Sequence, residues 1–144
     1  MPTNTVLDSA SHPGWVYLEK SLWISTFIGG PLAAGYVLAT NFRTLDRAER
    51  IPQVWVSAVA LALFLYYLVD FVPPLADLPG FVPPLLTALL AHYVFQRTQL
   101  SEINVLIDRG GGVYSKWRGV LVGIGGGVVS FAGFVVLELI REGY

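Results

Sequence analysis

The sequence predicts an all-α integral membrane protein, a bundle of four transmembrane helices whose long third helix extends into the cytoplasm. Hydrophobic residues make up 54% of the 144 residues and charged residues only 13%, about half the charge of a typical soluble domain. The apolar residues also form four uncharged runs of 22, 19, 19 and 19 residues, at Ser21–Phe42, Ile51–Val69, Leu78–Gln96 and Gly119–Leu137. Each run is close to the roughly 20 residues that cross a bilayer as a helix.

The first 20 residues are expected to form a flexible tail and an interfacial segment. Residues 1–13 are polar with few apolar side chains, a composition typical of mobile termini. Trp15, Tyr17 and Trp23 follow, and aromatic residues beside an apolar run are typical of the lipid headgroup level. Residues 21–144 are then predicted to form one transmembrane domain.

The first helix is predicted over residues 21–41. Pro31 lies in its middle, where proline removes a backbone donor and clashes with the preceding turn, so a kink is expected near Phe27. Small residues four positions apart let another helix approach closely in lipid. The helix contains two such pairs, Gly29 with Ala33 and Gly30 with Ala34.

The second and third helices are predicted over residues 51–69 and 83–108. Pro52 suits the first turn of the second helix. The third helix is expected to continue beyond the apolar run, because an apolar 3.6-residue period persists up to the breaker Gly110-Gly111-Gly112. The apolar positions that extend it are Leu100, Ile103, Leu106 and Ile107.

The fourth helix is predicted over residues 116–140 and is rich in glycine. Gly119, Gly123 and Gly127 recur at every fourth position. In a water-soluble helix each glycine would cost roughly 1 kcal/mol relative to alanine, whereas in lipid this spacing creates a groove for a neighbouring backbone. We therefore expect the first and fourth helices to pack against each other through their small residues.

The distribution of basic residues predicts the orientation. Seven of the nine Lys and Arg residues lie between the first and second helices or between the third and fourth, whereas Lys20 and Arg141 lie on the opposite side. The positive-inside rule places the basic segments in the cytoplasm and both termini outside it. The predicted location is the bacterial inner (plasma) membrane, as a multi-pass protein.

Two ionisable residues are candidates for a polar function. His92 is the only ionisable side chain well inside an apolar run, and such groups can act as proton relays or substrate contacts. The alternative for His92 is a neutral imidazole bonded to a neighbouring helix or lying near the interface. Glu138 is flanked by Leu and Ile residues. Together with Asp70, Asp77 and Glu142 it is a candidate to line a cation-attracting vestibule at the outer face. The alternative is that these are solvated end residues, with Glu138 paired with Arg141 or Lys20.

No catalytic, cofactor-binding or metal-ligating residue is predicted. The chain has no cysteine, which excludes disulfides and thiol chemistry. His12 is expected on the side opposite to His92, so the two histidines cannot share a metal. The segment Gly110–Lys116 lacks the second glycine and the preceding strand of a phosphate-binding loop. A net charge of −1 does not suggest a nucleic-acid partner.

The segment Gly29–Tyr36, GGPLAAGY, and the following Asn41-Phe42 resemble the first helix of a group of small, uncharacterised bacterial inner-membrane proteins. The segment Ile103–Trp117 is similar to a later segment of the same group, in which apolar residues precede Gly-Gly, a Ser and a Trp. This resemblance implies a bacterial membrane protein. It implies no activity and no site residue.

The leading functional hypothesis is a non-enzymatic membrane protein that acts by helix association, either with copies of itself or as an accessory subunit of a membrane complex. It is based on the many small residues of the first and fourth helices. The alternative is a small transporter or channel, since some homodimeric exporters have four helices in a chain of this length. Such exporters are expected to hold a carboxylate near the membrane midplane, which the first two helices lack. A membrane-embedded enzyme is the least expected class.

Overall fold

A computed structural model of the chain describes residues 14–72, 74 and 77–143, and the tail predicted over residues 1–13 lies outside this range. The described chain is almost entirely helical, which confirms the all-α class. Its helices are α1 (Glu19–Thr44), α2 (Ile51–Phe71), α3 (Val82–Thr98), α4 (Leu100–Asp108) and α5 (Lys116–Glu142), with a 3-10 turn at Ala48–Arg50. Two short parallel strands, β1 (Trp15–Val16) and β2 (Gly112–Val113), pair with Trp15 opposite Gly112.

Three helical segments are long and apolar enough to span a membrane: α1, α2 with its preceding turn, and α5. Within α2 only Ala58 is buried, and within α5 only Gly119 and Gly123 are buried. Their large apolar side chains therefore face outwards, as expected for helices in contact with lipid. At 17 residues, α3 is at the short end of the range that crosses a bilayer.

Helix α1 does not run straight from end to end. The backbone N–H of Tyr17, just before α1, donates to Oδ1 of Asn41 near its end, at 2.7 Å. The hydroxyl of Thr44 donates to the carbonyl oxygen of Trp15 at 3.0 Å. In a straight helix, residues 19 and 41 would lie about 33 Å apart. Helix α1 is therefore a hairpin of two antiparallel arms, residues 19–29 and 31–44.

The two arms are separated at Gly30, which has φ 67° and ψ −155°. This is a conformation that glycine adopts more readily than any other residue. Pro31 follows as the first residue of the second arm, a position where its fixed φ is favourable and its missing N–H costs nothing. The kink predicted near Phe27 is therefore replaced by a reversal of chain direction three residues later.

The continuous helix predicted over residues 83–108 is also wrong, because the chain breaks at Gln99 (φ −126°, ψ −31°) between α3 and α4. The Gln99 side chain is fully buried. Its amide N–H donates to the carbonyl oxygen of Leu38 at 2.9 Å, and its amide oxygen accepts from Asn41 Nδ2 at 3.1 Å. These bonds to the hairpin fix Gln99 where the helix changes direction.

The two ends of the molecule differ in their packing. We call the end that holds β1, β2, α4 and both ends of the hairpin the basal end. The opposite end, where α2 and α5 finish and α3 begins, is the distal end. The hydrophobic core lies towards the basal end and consists of Val16, Tyr17, Leu22, Ala34, Val37, Leu38, Ala91, Phe95 and Ile103.

Tyr17 is part of this core rather than an exposed interfacial residue. Its side chain is completely buried, and its hydroxyl accepts a hydrogen bond from Arg118 Nε at 3.1 Å. Burial raises the pKa of the Tyr17 hydroxyl above its ordinary value of 10.0. The phenol is therefore neutral at physiological pH. The β1 segment and Tyr17 thus attach the start of the hairpin to the start of α5.

Candidate functional site at the tip of the hairpin

The small residues of α1 and α5 pack against each other within the molecule. A Cβ added at Gly119 would lie 3.1 Å from Cβ of Ser21, and one added at Gly123 would lie 3.1 Å from Cα of Ser25. A Cβ added at Gly29 would overlap the carbonyl oxygen of Gly123. Later residues of the arm 19–29 contact later residues of α5, so the two helices run parallel.

Most, but not all, of the small residues predicted to pack between the first and fourth helices do so in the structure. Gly127 is in ordinary contact with α1, since its added Cβ would lie 3.4 Å from the carbonyl oxygen of Ile28. Ala33 packs against Gly126, where an added Cβ would lie 2.8 Å from the Ala33 Cβ. The remaining two members of the predicted set, Gly30 and Ala34, are not part of this contact.

Gly30 and Ala34 have other roles. A Cβ added at Gly30 would meet nothing within 4 Å, so Gly30 reverses the chain and does not pack. Ala34 is buried on the side of the hairpin that faces α2 and α3. Gly126 was not predicted to pack, although its position seven residues after Gly119 matches two helical turns and could have indicated it.

The tip of the hairpin lies near the middle of α5. Its neighbour Gly127 is the twelfth of the 27 residues of that helix. The last four carbonyl groups of the arm 19–29 have no partner within their own helix. Pro31, directly after the reversal, provides no N–H. The helix break therefore lies at about half the height of a helix long enough to cross a bilayer.

A cavity of about 360 Å³ lies against this tip, and we call it the tip cavity. Gly29, Gly30 and Pro31 form one wall, and Thr87 of α3 and Ser130 of α5 belong to the others. The Thr87 hydroxyl donates to the carbonyl oxygen of Pro83 at 2.9 Å. The Ser130 hydroxyl is buried without a hydrogen-bond partner among the described residues. The cavity therefore combines apolar walls with a few polar groups, as ligand sites commonly do.

Glu138 belongs to a cluster of polar side chains at the distal end. Its Oε1 accepts a hydrogen bond from the Tyr66 hydroxyl at 2.6 Å, and its Oε2 lies 3.6 Å from Nε of Arg141. Arg141 Nη1 also donates to Asp70 Oδ2 at 2.8 Å. Arg141 is one of the two partners expected for Glu138. The contributions of Tyr66 and Asp70 were not predicted, and they join the end of α2 to the end of α5.

His92 lies at the basal end, away from Glu138. Its Nδ1 is 3.5 Å from Oε1 of Glu19, the first residue of α1, and its ring lies 5.6 Å from the ring of Trp23. The side chain is 22% exposed. The imidazole is therefore beside a carboxylate at the end of the hairpin, and a polar function of His92 stays a prediction.

The described residues contain no group of three His, Cys, Asp or Glu side chains that could hold a metal ion. Comparisons of the chain with protein-family models, with curated proteins and with solved structures give no match. The resemblance based on the GGPLAAGY segment stays a prediction. The function must therefore be inferred from the fold and from the cavity at the tip of the hairpin.

Proposed function

We propose that the chain is a three-span membrane protein in which α2, α3 and α5 cross the bilayer. Helix α1 enters as a re-entrant hairpin and returns to the side from which it came. Two observations support this arrangement: both ends of α1 meet at the basal end, and the outer faces of α2 and α5 are apolar. Non-helical backbone at membrane depth is tolerated where it is buried in protein or lines a cavity, and Gly30 lines the tip cavity.

The charge distribution supports an orientation with the basal end in the cytoplasm. Folding of α1 brings Lys20 to the same end as the seven basic residues of the two loops, which leaves Arg141 alone at the distal end. By the positive-inside rule the basal end is cytoplasmic. We therefore place the N-terminal segment in the cytoplasm and the end of α5 outside it. This replaces the expectation that both termini lie outside, because the hairpin removes one crossing. The bacterial inner membrane stays the proposed location.

We further propose that the protein is a small transporter or channel for a small cationic solute. The observation that carries this proposal is the helix break at mid-height, where Gly29, Gly30 and Pro31 line the tip cavity. Interrupted helices near the bilayer midplane form the substrate and ion sites of many transporters. The arm 19–29 ends at the tip, so the negative end of its dipole faces the cavity.

The distal end provides an acidic approach to the cavity. Among the described residues, one basic side chain, Arg141, stands there with the carboxylates of Asp70, Asp77, Glu138 and Glu142. A concentration of one sign of charge at the mouth of a cavity raises the local concentration of ions of opposite sign. This favours a cation over an anion as the solute.

Helix association is the second candidate function, and the structure reduces its support. Gly119, Gly123 and Gly126 are already in contact with α1 of the same molecule, so they are not available to a partner. One observation still favours association: a Cβ added at Gly125 or Gly133 of α5 would meet nothing within 4 Å. These two glycines leave space on the outer face of α5 for a second copy or for another membrane protein.

The proposed transport can be tested with purified protein in liposomes, by measuring the uptake of Rb⁺ driven by an inside-negative potential. We expect uptake above that of protein-free vesicles. Ser130→Phe should reduce it to the protein-free level, because the ring would occupy the tip cavity. Glu138→Gln should lower it by removing a distal charge, and His92→Ala should leave it unchanged because His92 lies at the other end.

Val128→Phe is the matched control, since Val128 is on the same helix, is 64% exposed and does not line the tip cavity. It should retain full uptake. Two outcomes would overturn the proposal: uptake by the unmodified protein no greater than that of protein-free vesicles, or equal uptake by the folded Ser130→Phe variant and the unmodified protein.

A further inference from the structure

A second cavity, of about 280 Å³, lies between the arm 31–44, α2 and α3, and we call it the basal groove. Pro31 and Thr87 line both the basal groove and the tip cavity, so the two cavities meet at mid-height. Along α2 the groove extends from Arg50 to Leu61. Eleven residues of helix rise about 16 Å, which matches half of the roughly 30 Å hydrocarbon core. The groove thus has the depth of one leaflet.

The polarity of the groove changes along its length. Its walls are apolar and include Leu38, Val54 and Val94. Three of its polar lining residues, Arg50, Gln53 and Thr98, lie at the basal mouth. The other two, Thr87 and Ser57, lie further along the groove. This arrangement corresponds to an amphiphile whose tail points to the membrane centre and whose head lies at the basal surface.

We propose that the basal groove binds one acyl chain of an anionic phospholipid of the basal leaflet, with the lipid phosphate at Arg50. The guanidinium group can donate two parallel hydrogen bonds to phosphate oxygens. Arg50 takes part in none of the ion pairs found among the described residues, whereas its neighbour Arg47 is paired with Glu102 at 2.6 Å. Arg50 is also exposed, so it is available to a headgroup.

The selectivity of the site should come from the headgroup. An acyl chain that enters the groove leaves one hydrocarbon environment for another, so its burial favours no lipid class. The attraction of one basic residue for an anionic headgroup corresponds to a preference of about fivefold for an anionic lipid over a lipid without net charge. The site rests on the proposed membrane arrangement but not on the proposed transport, since its charged residue is Arg50 and its walls share only Pro31 and Thr87 with the tip cavity.

Native mass spectrometry of the detergent-purified protein tests the proposal, with phosphatidylglycerol and phosphatidylcholine of identical chains added in equal amounts. We expect one retained lipid and a preference for phosphatidylglycerol of about fivefold. Arg50→Gln should abolish the preference, and Ser57→Phe should lower the retention of both lipids because Ser57 lines the groove.

Arg43→Gln is the matched control, because Arg43 is an exposed basic residue at the same end that does not line the groove. It should keep the preference. Equal retention of the two lipids by the unmodified protein would overturn the proposal. So would equal losses of preference in Arg50→Gln and Arg43→Gln, since the effect would then come from general surface charge. Thermal unfolding of each variant confirms that the compared proteins are folded.

Discussion

Gly123→Leu is expected to destabilise the protein strongly, because Gly123 packs against the arm 19–29. A Cβ at this position would lie 2.9 Å from Cβ of Ile28 and 3.1 Å from the carbonyl oxygen of Ser25. The rest of the leucine side chain would extend into the arm 19–29, whose backbone would have to move away. Overpacking of this kind costs about 3 kcal/mol, and for a chain of this size that corresponds to a fall in Tm of about 10 °C.

The measurement is thermal unfolding in detergent, and Gly125→Leu is the control. Gly125 lies two residues away on the same helix, and a Cβ added there would meet nothing within 4 Å. Both substitutions replace the same residue type by the same side chain, so they change helix propensity and hydrophobicity equally. We expect Gly125→Leu to leave Tm unchanged or to raise it slightly. Equal changes in the two variants would show that α1 and α5 do not pack as described.

Several elements could be predicted from the sequence because their signals are local. The second helix was predicted over residues 51–69 and the fourth over 116–140, and the structure has Ile51–Phe71 and Lys116–Glu142. Long apolar runs with proline or charged residues at their ends determine such boundaries. The spacing of Gly119 and Gly123 also indicated the face of α5 that packs, because small residues on one helix face allow close approach whatever the topology.

The hairpin of α1 could not be predicted in the same way. A run of 22 uncharged residues has the same composition whether the helix crosses the bilayer or folds back. The local signal was the pair Gly30-Pro31, which is compatible with either a kink or a reversal. What distinguishes them is the buried amide of Asn41, whose partners are Tyr17 and Gln99. Those partners are 24 and 58 residues away, so they are visible only in the folded chain.

The tip cavity was missed for a related reason. His92 and Glu138 were predicted as functional candidates because they are ionisable side chains in or beside apolar runs. The structure places these two residues at opposite ends of the molecule. At mid-height the structure instead has the helix break at Gly30 and the buried Ser130 hydroxyl, which has no hydrogen-bond partner among the described residues. Main-chain groups have no signature in the sequence until the helix break that exposes them is known.

The hairpin makes a prediction that separates it directly from a straight first helix. A Cβ added at Gly14 would lie 3.5 Å from Cβ of Thr44, within the range found in disulfides. The chain has no cysteine of its own, so the double variant Gly14→Cys, Thr44→Cys should form an intramolecular disulfide under mild oxidation. In a straight helix, residues 19 and 44 alone would be about 38 Å apart, and no disulfide could form.

The rate of disulfide formation also reports on the hydrogen bonds that keep the two ends of the hairpin together. Asn41 accepts from the backbone N–H of Tyr17 and donates to its carbonyl oxygen and to Oε1 of Gln99, at 2.7, 3.0 and 3.1 Å. Asn41→Leu would leave three buried polar groups without a partner, each costing about 1–3 kcal/mol. We therefore expect a fall in Tm and slower disulfide formation. Thr40→Val is the control, because the Thr40 hydroxyl bonds only to the carbonyl oxygen of Tyr36 in the same arm.

The double variant Lys116→Cys, Arg141→Cys is the negative control for the disulfide experiment, because its two positions lie far apart on one helix. These positions are separated by 25 residues in the uninterrupted helix α5, the same sequence separation as residues 19 and 44. They should form no intramolecular disulfide. If the pair at residues 14 and 44 also failed to form one in folded protein, the hairpin would be contradicted and a straight α1 would be favoured. The first helix would then cross the bilayer, the N-terminal segment would lie on the same side as the end of α5, and the tip cavity would not exist. The disulfide test therefore decides the topology and, with it, the proposed site.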